Sequence, residues 1–468
     1  MLIIHVWLKK FTYRNTGEVF MEKVQYTTGK IFRMSVPVFI ELLLQMLVGN
    51  VDQMMVSRHS QVSVAAIGNA NQIMNIIIIV LNVMCAAAGI LISQYLGAKD
   101  EQKIEETVNV SFFVTFVFSA VLTFLAVGLR YPILRRILNA PEDVAGEAAG
   151  YLAVVGSLIL VQGCYMTFAA ALRSHGFMKD VMMISVIMNL VNIAGNAILI
   201  NGWFFFPTLG IIGAAVSTDL SKLLGLLLIY RLFRKKTDLK LTSASFHPFP
   251  SGTLKKILAI GIPSGGEELS YNLSQIAILS YINIFGTAVI AAKIYSSMFA
   301  NVAYVYSMAI AQATQIVVGY LVGAGSLEQI AKRVWSTMGI CIGVSVTLTA
   351  VMWQNSDALY GLFTTNPTVL GLGRVILGIE IFLEIGRSIN IVMTRCLFAV
   401  GDVRFPVMLG ISSQWLVSVL LSYFVGVRMG YGLPGIWFAM ALDENIRGVL
   451  FVIRFKKNAW MKLAYRAR

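Results

Sequence analysis

Pro37-Val-Phe-Ile-Glu41 and Pro263-Ser-Gly-Gly-Glu267 are the same signal written twice, 226 residues apart. Carrying that offset outward without a gap, Ala65-Ala66 falls on Ala291-Ala292, Asn75 on Asn301, Gly97-Ala98 on Gly323-Ala324, and Ile104 on Ile330. Alanine and isoleucine matches are cheap in an apolar chain. A proline, an intramembrane glutamate and a glycine held at one offset are not. Repeated membrane halves put a ligand site at their interface and let one half rock against the other, which is the signature of a transporter.

Composition points the same way. The chain is 57% hydrophobic and only 13% charged, against about 25% charged in a soluble domain. Apolar runs of about 20 residues or more, enough to span a bilayer, fall at 31–56, 63–92, 107–129, 148–172, 180–203, 209–231, 257–284, 288–321, 331–354, 370–399, 405–427 and 432–454. The expected fold is therefore all-α and polytopic, with twelve transmembrane helices in two pseudo-symmetric six-helix lobes. Residues 31–231 form the N-lobe and 257–454 the C-lobe. Between them, 232–256 is polar and carries Pro248 and Pro250, as a linker does. Residues 455–468 form a basic tail. Residues 1–30 read as an extension, with Met21 as an alternative start.

Most of the 37 lysines and arginines lie before span 1, after span 12 and in alternate loops, the linker above all. The positive-inside rule places both termini and the linker in the cytoplasm, in the plasma (inner) membrane. The net charge of +14 is this topology signal, with anionic lipid as its partner, and needs no nucleic acid to explain it. Lys222, Lys293, Arg387, Arg395 and Arg447 remain inside spans. Cys85, Cys164, Cys341 and Cys396 lie singly in separate apolar runs, as small core residues do.

Enzymatic readings find little. The chain has no Gly-x-x-x-x-Gly-Lys phosphate loop, no His-Glu-x-x-His and no Gly-x-Ser-x-Gly. A membrane-embedded transferase is the rival class, and Glu105-Glu106 its nearest feature. A non-catalytic scaffold is another, but it has no use for intramembrane acids. No cofactor is expected, and a monomer is.

An intramembrane charge costs roughly 3 kcal/mol on insertion scales, so each needs a partner or a task. On span 1, Glu41, Gln45 and Asp52 share one face at 3.6 residues per turn. Spans 5 and 6 offer Asn189, Asn192 and Asn196, then Ser217, Thr218 and Asp219. Span 7 carries Glu267-Glu268, and span 10 carries Glu380, Glu384 and Arg387 on one face. Span 12 adds Asp443, Glu444 and Arg447. Glu384, Arg387, Asp443, Glu444 and Arg447 read equally as a charge cluster fastening span 10 to span 12. Glu267 and Glu380 have no base in their own helix turn and read as cation or ligand sites. Asn69, Gln72 and Asn75, with Tyr295, Met298, Asn301 and Gln312, suit a cavity wall of amides, aromatics and methionine. Gly319 and Gly323 read as a helix contact.

The order Gly49-Asn-Val-Asp52, Ala65-Ala66-Ile-Gly68, Gln94-Tyr-Leu-Gly97-Ala98, then Gly401-Asp402-Val-Arg404-Phe-Pro406 and Gly432-Leu-Pro-Gly435-Ile-Trp437, resembles the multidrug and toxic compound extrusion (MATE) family over about 31–454. The resemblance implies two lobes in a V that trade access between membrane faces, and efflux of amphipathic, often cationic compounds in exchange for H+ or Na+. It implies that Asp52 matches the family's acid on helix 1, which is implicated in cation binding. In one branch an asparagine on helix 5 is followed four residues later by an aspartate; Asn192 fits, but Asn196 replaces the aspartate, and Asp219 would have to supply the second acid. Acids on helices 7 and 10 are used by the sodium-coupled branch, which implies Glu267 and Glu380 as a possible Na+ pair. A related architecture flips lipid-linked saccharides with cavity arginines. Acids outnumber bases on these faces, so a cationic substrate is expected. Switching a 1:99 equilibrium to 99:1 takes about 5.5 kcal/mol, and several acids could share it.

Overall fold

The computed structural model describes residues 27–57, 61–203, 207–241 and 249–467. The extension before residue 27 and the middle of the linker lie outside them. Twelve helices follow: α1 (Thr28–Ser57), α2 (Gln61–Ala98), α3 (Glu101–Gly128), α4 (Glu142–Ser157 and Ile159–Ser174), α5 (Met178–Asn201) and α6 (Gly210–Lys236). After the linker come α7 (Ser251–Ile282), α8 (Thr287–Gly323), α9 (Leu327–Gln354), α10 (Pro367–Ala399), α11 (Arg404–Arg428) and α12 (Gly432–Lys456). A short α13 (Ala459–Ala467) folds back, its Trp460 buried and stacked on Phe455 at 5.1 Å.

Eight of the twelve are long and apolar enough by composition alone to cross a membrane, and α4 makes a ninth. α4 differs from the expected straight span: it begins at Glu142 and bends by 44° near Leu158. The remaining three, α7, α10 and α12, are those that carry Glu267-Glu268, Glu380 with Glu384 and Arg387, and Asp443-Glu444 with Arg447. Their charges dilute the hydropathy, and the acids of α10 and α12 pair with arginines of their own helices.

The repeat is visible in how the lobes meet. Ile31 and Met34 at the base of α1 are buried in the cluster built by α8, α9, α10 and α12. Their repeat mates Ile257 and Ile260, at the base of α7, are buried in the cluster built by α2 to α6. Each lobe thus lends the foot of its first helix to the other. The crossing of α2 with α8 repeats the pattern at closer range. A Cβ on Gly97 would overlap the Tyr320 carbonyl, and a Cβ on Gly323 would overlap the carbonyl of Gln94. Gln94 and Tyr320 are themselves repeat mates, so the contact exchanges its two sides under a pseudo-two-fold rotation, as an isologous interface does. Only residues without a side chain allow backbones this close.

Further bonds between lobes gather at this same end, where the linker lies. Gln94 Nε2 donates to the Ala399 carbonyl at 2.9 Å, Lys256 Nζ donates to the Tyr95 hydroxyl at 3.0 Å, and Thr253 bonds Glu106. The lobes are closed at the linker end.

Candidate functional site

Behind this closure lie three connecting chambers. One, of about 220 Å³, is walled by α1, α2, α4 and α8 and includes Glu41, Tyr165, Arg173 and Gln312. The second, about 150 Å³, sits against α7, α10 and α12 and includes Glu267, Glu268, Tyr304 and Arg447. Asn82, Met308, Gln315 and Arg395 line both. The third, about 300 Å³, holds Lys293, Asn301 and Asp443 and shares Glu268, Tyr271, Arg387 and Glu444 with the second.

In the C-lobe the charges form two trios, each of two carboxylates on one arginine. Arg387 Nη1 donates to Glu380 at 2.7 Å and also to Glu384. Arg447 pairs with Asp443 at 2.9 Å and Glu444 at 2.7 Å. Glu380 and Glu384 are fully buried and Asp443 is 2% exposed. With all groups ionised each trio keeps one negative charge, in surroundings where an unbalanced charge is costly. Glu384 Oε2 accepts no hydrogen bond among the described residues.

These facts revise two expectations. Glu380 does have a basic partner, Arg387 two turns on, and its other oxygen accepts from Trp437 Nε1 at 2.6 Å. Among the described residues the five-residue cluster does not tie α10 to α12 by ion pairs, each of which stays within one helix. The tie is made by neutral donors: Trp437 to Glu380, Asn390 to Glu444 at 2.5 Å, and Asn445 to the Phe382 carbonyl at 3.0 Å. Gly386 makes it possible, because a Cβ there would overlap the backbone of Glu444 and Asn445.

Glu267 lies apart from Glu380. It accepts from Gln414 Nε2 at 3.4 Å and lines the second chamber, whereas Glu380 and Glu384 stand behind Arg387 and line none of the three. Gln414 opens a π-helical stretch of α11, Gln414–Val419, preceded by Ser413, which bonds Asp443. Such wide turns re-aim side chains and recur at functional sites. No group of three or more acid, histidine or cysteine side chains able to hold a metal ion occurs among the described residues.

In the N-lobe, Glu41 is buried and paired with Arg173 of α4 at 2.6 Å. Span 4 was expected to end before Arg173; the helix runs on to Ser174 and turns it inward. α5 and α6 cross closely, Gly195 against Ser217 and Gly213 against Leu199. That crossing seats Asn192, whose Nδ2 donates to Thr218 at 3.2 Å and whose carbonyl accepts from Ser217 at 2.8 Å. Asn196 and Asp219 are buried too, and Asp219 Oδ1 accepts no hydrogen bond among the described residues. The Asp52 side chain lies outside the described residues, so its meeting with Asp219 does too.

Of the expected cavity wall, Asn301 and Gln312 line chambers. Asn69 bonds its own helix at Ala65, Gln72, Asn75 and Met298 are exposed, and Tyr295 stacks on Phe363 at 5.0 Å. Arg173, Arg395, Trp437 and Gln414 are site residues that the sequence reading misses. Arg395 carried a signal, being a base inside a span, and Trp437 stood in a quoted motif. With them the charge balance differs from the expected one too. The three chambers are lined by Glu41, Glu267, Glu268, Asp443 and Glu444 against Arg173, Lys293, Arg387, Arg395 and Arg447, so acids do not exceed bases.

Two pseudo-symmetric lobes, closed at one end over a charged cavity, are the architecture of a membrane transporter. The MatE family model matches residues 37–198 and again 263–424, the two stretches related by the 226-residue offset. The chain belongs to the MatE family. It is 34% identical to an uncharacterized transporter of Bacillus subtilis, YisQ, over 97% of this chain and 99% of that one. It is 23% identical to a probable multidrug resistance protein, NorM, of Thermotoga maritima, over 96% of each. Among solved structures, an outward-facing multidrug resistance MATE transporter superposes with TM-score 0.85 at 20% identity, over 92% of this chain and 96% of that one. A MOP superfamily transporter from Pyrococcus furiosus, described as having a binding pocket of reverse polarity, gives 0.86 at 20%, over 96% and 99%. The fold is thus the twelve-helix, two-lobe fold of multidrug efflux transporters.

Proposed function

We propose that the protein is a secondary active antiporter that exports amphipathic compounds in exchange for H+ or Na+, from a linker side that is cytoplasmic. The observation that carries this is the pair of C-lobe trios, each with one carboxylate more than its arginine neutralises. A proton or a sodium ion on either trio removes the surplus charge, and its release restores it. The energy of α10 and α12 against their neighbours then depends on cation occupancy, which is what coupling requires. Glu384, with its unpartnered oxygen, is the acid we assign to that exchange. Asp52 on α1 is the N-lobe counterpart, with Asn192, Asn196 and Asp219 in support. The flippase reading is weaker, since three of the four cavity arginines are already paired with acids of the same chain.

Dye efflux from energised vesicles, with proton and sodium gradients imposed separately, tests this. Glu384→Gln keeps the shape and the bond from Arg387 but cannot gain or lose a proton. Its efflux is expected to lose its response to the coupling gradient, a drop of at least about tenfold, with melting temperature near that of the parent. Undiminished gradient response would remove Glu384 from the coupling scheme. Orientation is tested separately: a cysteine placed at Lys240 is expected to react with a membrane-impermeant reagent only from the cytoplasmic side. Labelling from outside the cell would invert the topology.

A further inference from the structure

Of the four arginines that line the cavity, Arg395 alone makes no ion pair or hydrogen bond among the described residues, the other three being held by Glu41, by Glu380 with Glu384, and by Asp443 with Glu444. Arg395 is half-buried on α10 and faces both the first and the second chamber. A guanidinium keeps its charge at any accessible pH and offers five donors in a planar fork. Left half-buried without a partner, it asks for an anion. Across the second chamber stand Glu268, with no ion pair among the described residues, and Glu267, bonded only by the neutral Gln414. The wall between is made of Tyr271, Tyr304, Met308 and Phe398, flat and soft surfaces that accept an apolar body.

We infer that Arg395 is a substrate-binding residue and that the preferred substrates are zwitterionic amphiphiles, whose carboxylate or similar anion takes the Arg395 fork while their cationic group lies toward Glu267 and Glu268. This rests on the transport reading above and narrows its substrate class. A purely cationic ligand would leave the guanidinium fork without a bonded anion. A purely anionic one would face two glutamates. Only a molecule carrying both charges satisfies both ends, and the fork and carboxylate match in geometry.

The test uses two dyes of one skeleton on the purified full-length protein. Rhodamine 110 carries a xanthylium cation and a free carboxylate, and rhodamine 123, its methyl ester, carries only the cation. The expected result, by fluorescence anisotropy, is that rhodamine 110 binds at least about tenfold more tightly, the size of one charge-assisted contact. Arg395→Gln should bring the ratio to about one. Arg395→Lys, a point charge in place of the fork, should leave an intermediate ratio and serves if the glutamine variant does not fold. A purely structural Arg395 would change both affinities together or neither. A parental ratio near one, or a ratio unmoved by either substitution, overturns the assignment. That result would include the case in which Arg395 meets Glu267 when the lobes shift. Because binding is measured without a gradient, efflux of rhodamine 123 from vesicles decides the transport reading independently.

Discussion

Leucine at Gly97 or at Gly323 is expected to abolish transport. At both positions the Cβ alone would overlap a carbonyl of the opposite lobe, and the two overlaps are mates under the repeat. Backbone cannot yield as a flexible side chain would, so a four-carbon side chain can be housed only if α2 and α8 separate at the linker end. Packed interfaces are bistable and do not stretch by degrees. The variant should therefore fold, bind ligand and remain open at the linker end. Efflux should fall to background in either variant, and a Gln312→Cys reporter in the first chamber should react from the linker side at least about tenfold faster than in the parent. Near-normal efflux from Gly97→Leu would show that the crossing is not needed for the cycle. Gly339, on α9 with nothing within contact distance of an added Cβ, provides the control substitution to alanine.

Arg387→Met should cause the largest loss of stability of any single change in the C-lobe. The guanidinium holds two fully buried carboxylates at once. Removing it leaves both without a counter-charge, and breaking a buried pair in this way costs about 3–5 kcal/mol, a large part of the 5–15 kcal/mol that typically holds a protein folded. Detergent-solubilised Arg387→Met should melt far below the parent or fail to accumulate. The combination with Glu384→Gln removes one stranded charge and should recover a good part of the loss, because Trp437 still serves Glu380. Equal melting of the single and double variants would mean that the carboxylates become protonated without cost and that the trio carries no coupling energy.

The residues involved in these two predictions differ in how they could be read. Gly97 and Gly323 were paired by the offset alone, and a glycine pair on α8 already suggested a contact. Which carbonyls they meet was not legible, since that depends on the crossing of two helices nearly 230 positions apart. Arg387 was legible as a neighbour of Glu380 and Glu384, because positions 3 and 7 residues apart share a helix face whatever the tertiary fold. Trp437, Asn390 and Gln414, which complete those sites, come from other helices and show no periodicity that points to the partner. Glu41 shows the same limit from the other side: its face on α1 was readable, but its ion pair with Arg173 required α4 to bend and continue past its apolar run.

The helical spans, the two halves and their relation follow from the sequence alone, because lipid contact and duplication leave marks that are local or periodic. Tertiary structure alone decided which charges neutralise one another and which, like Arg395, stay available. Such pairings depend on the rotation and crossing of each helix, set by close approaches at Gly97, Gly323, Gly195 and Gly386, and no spacing within a single span encodes them.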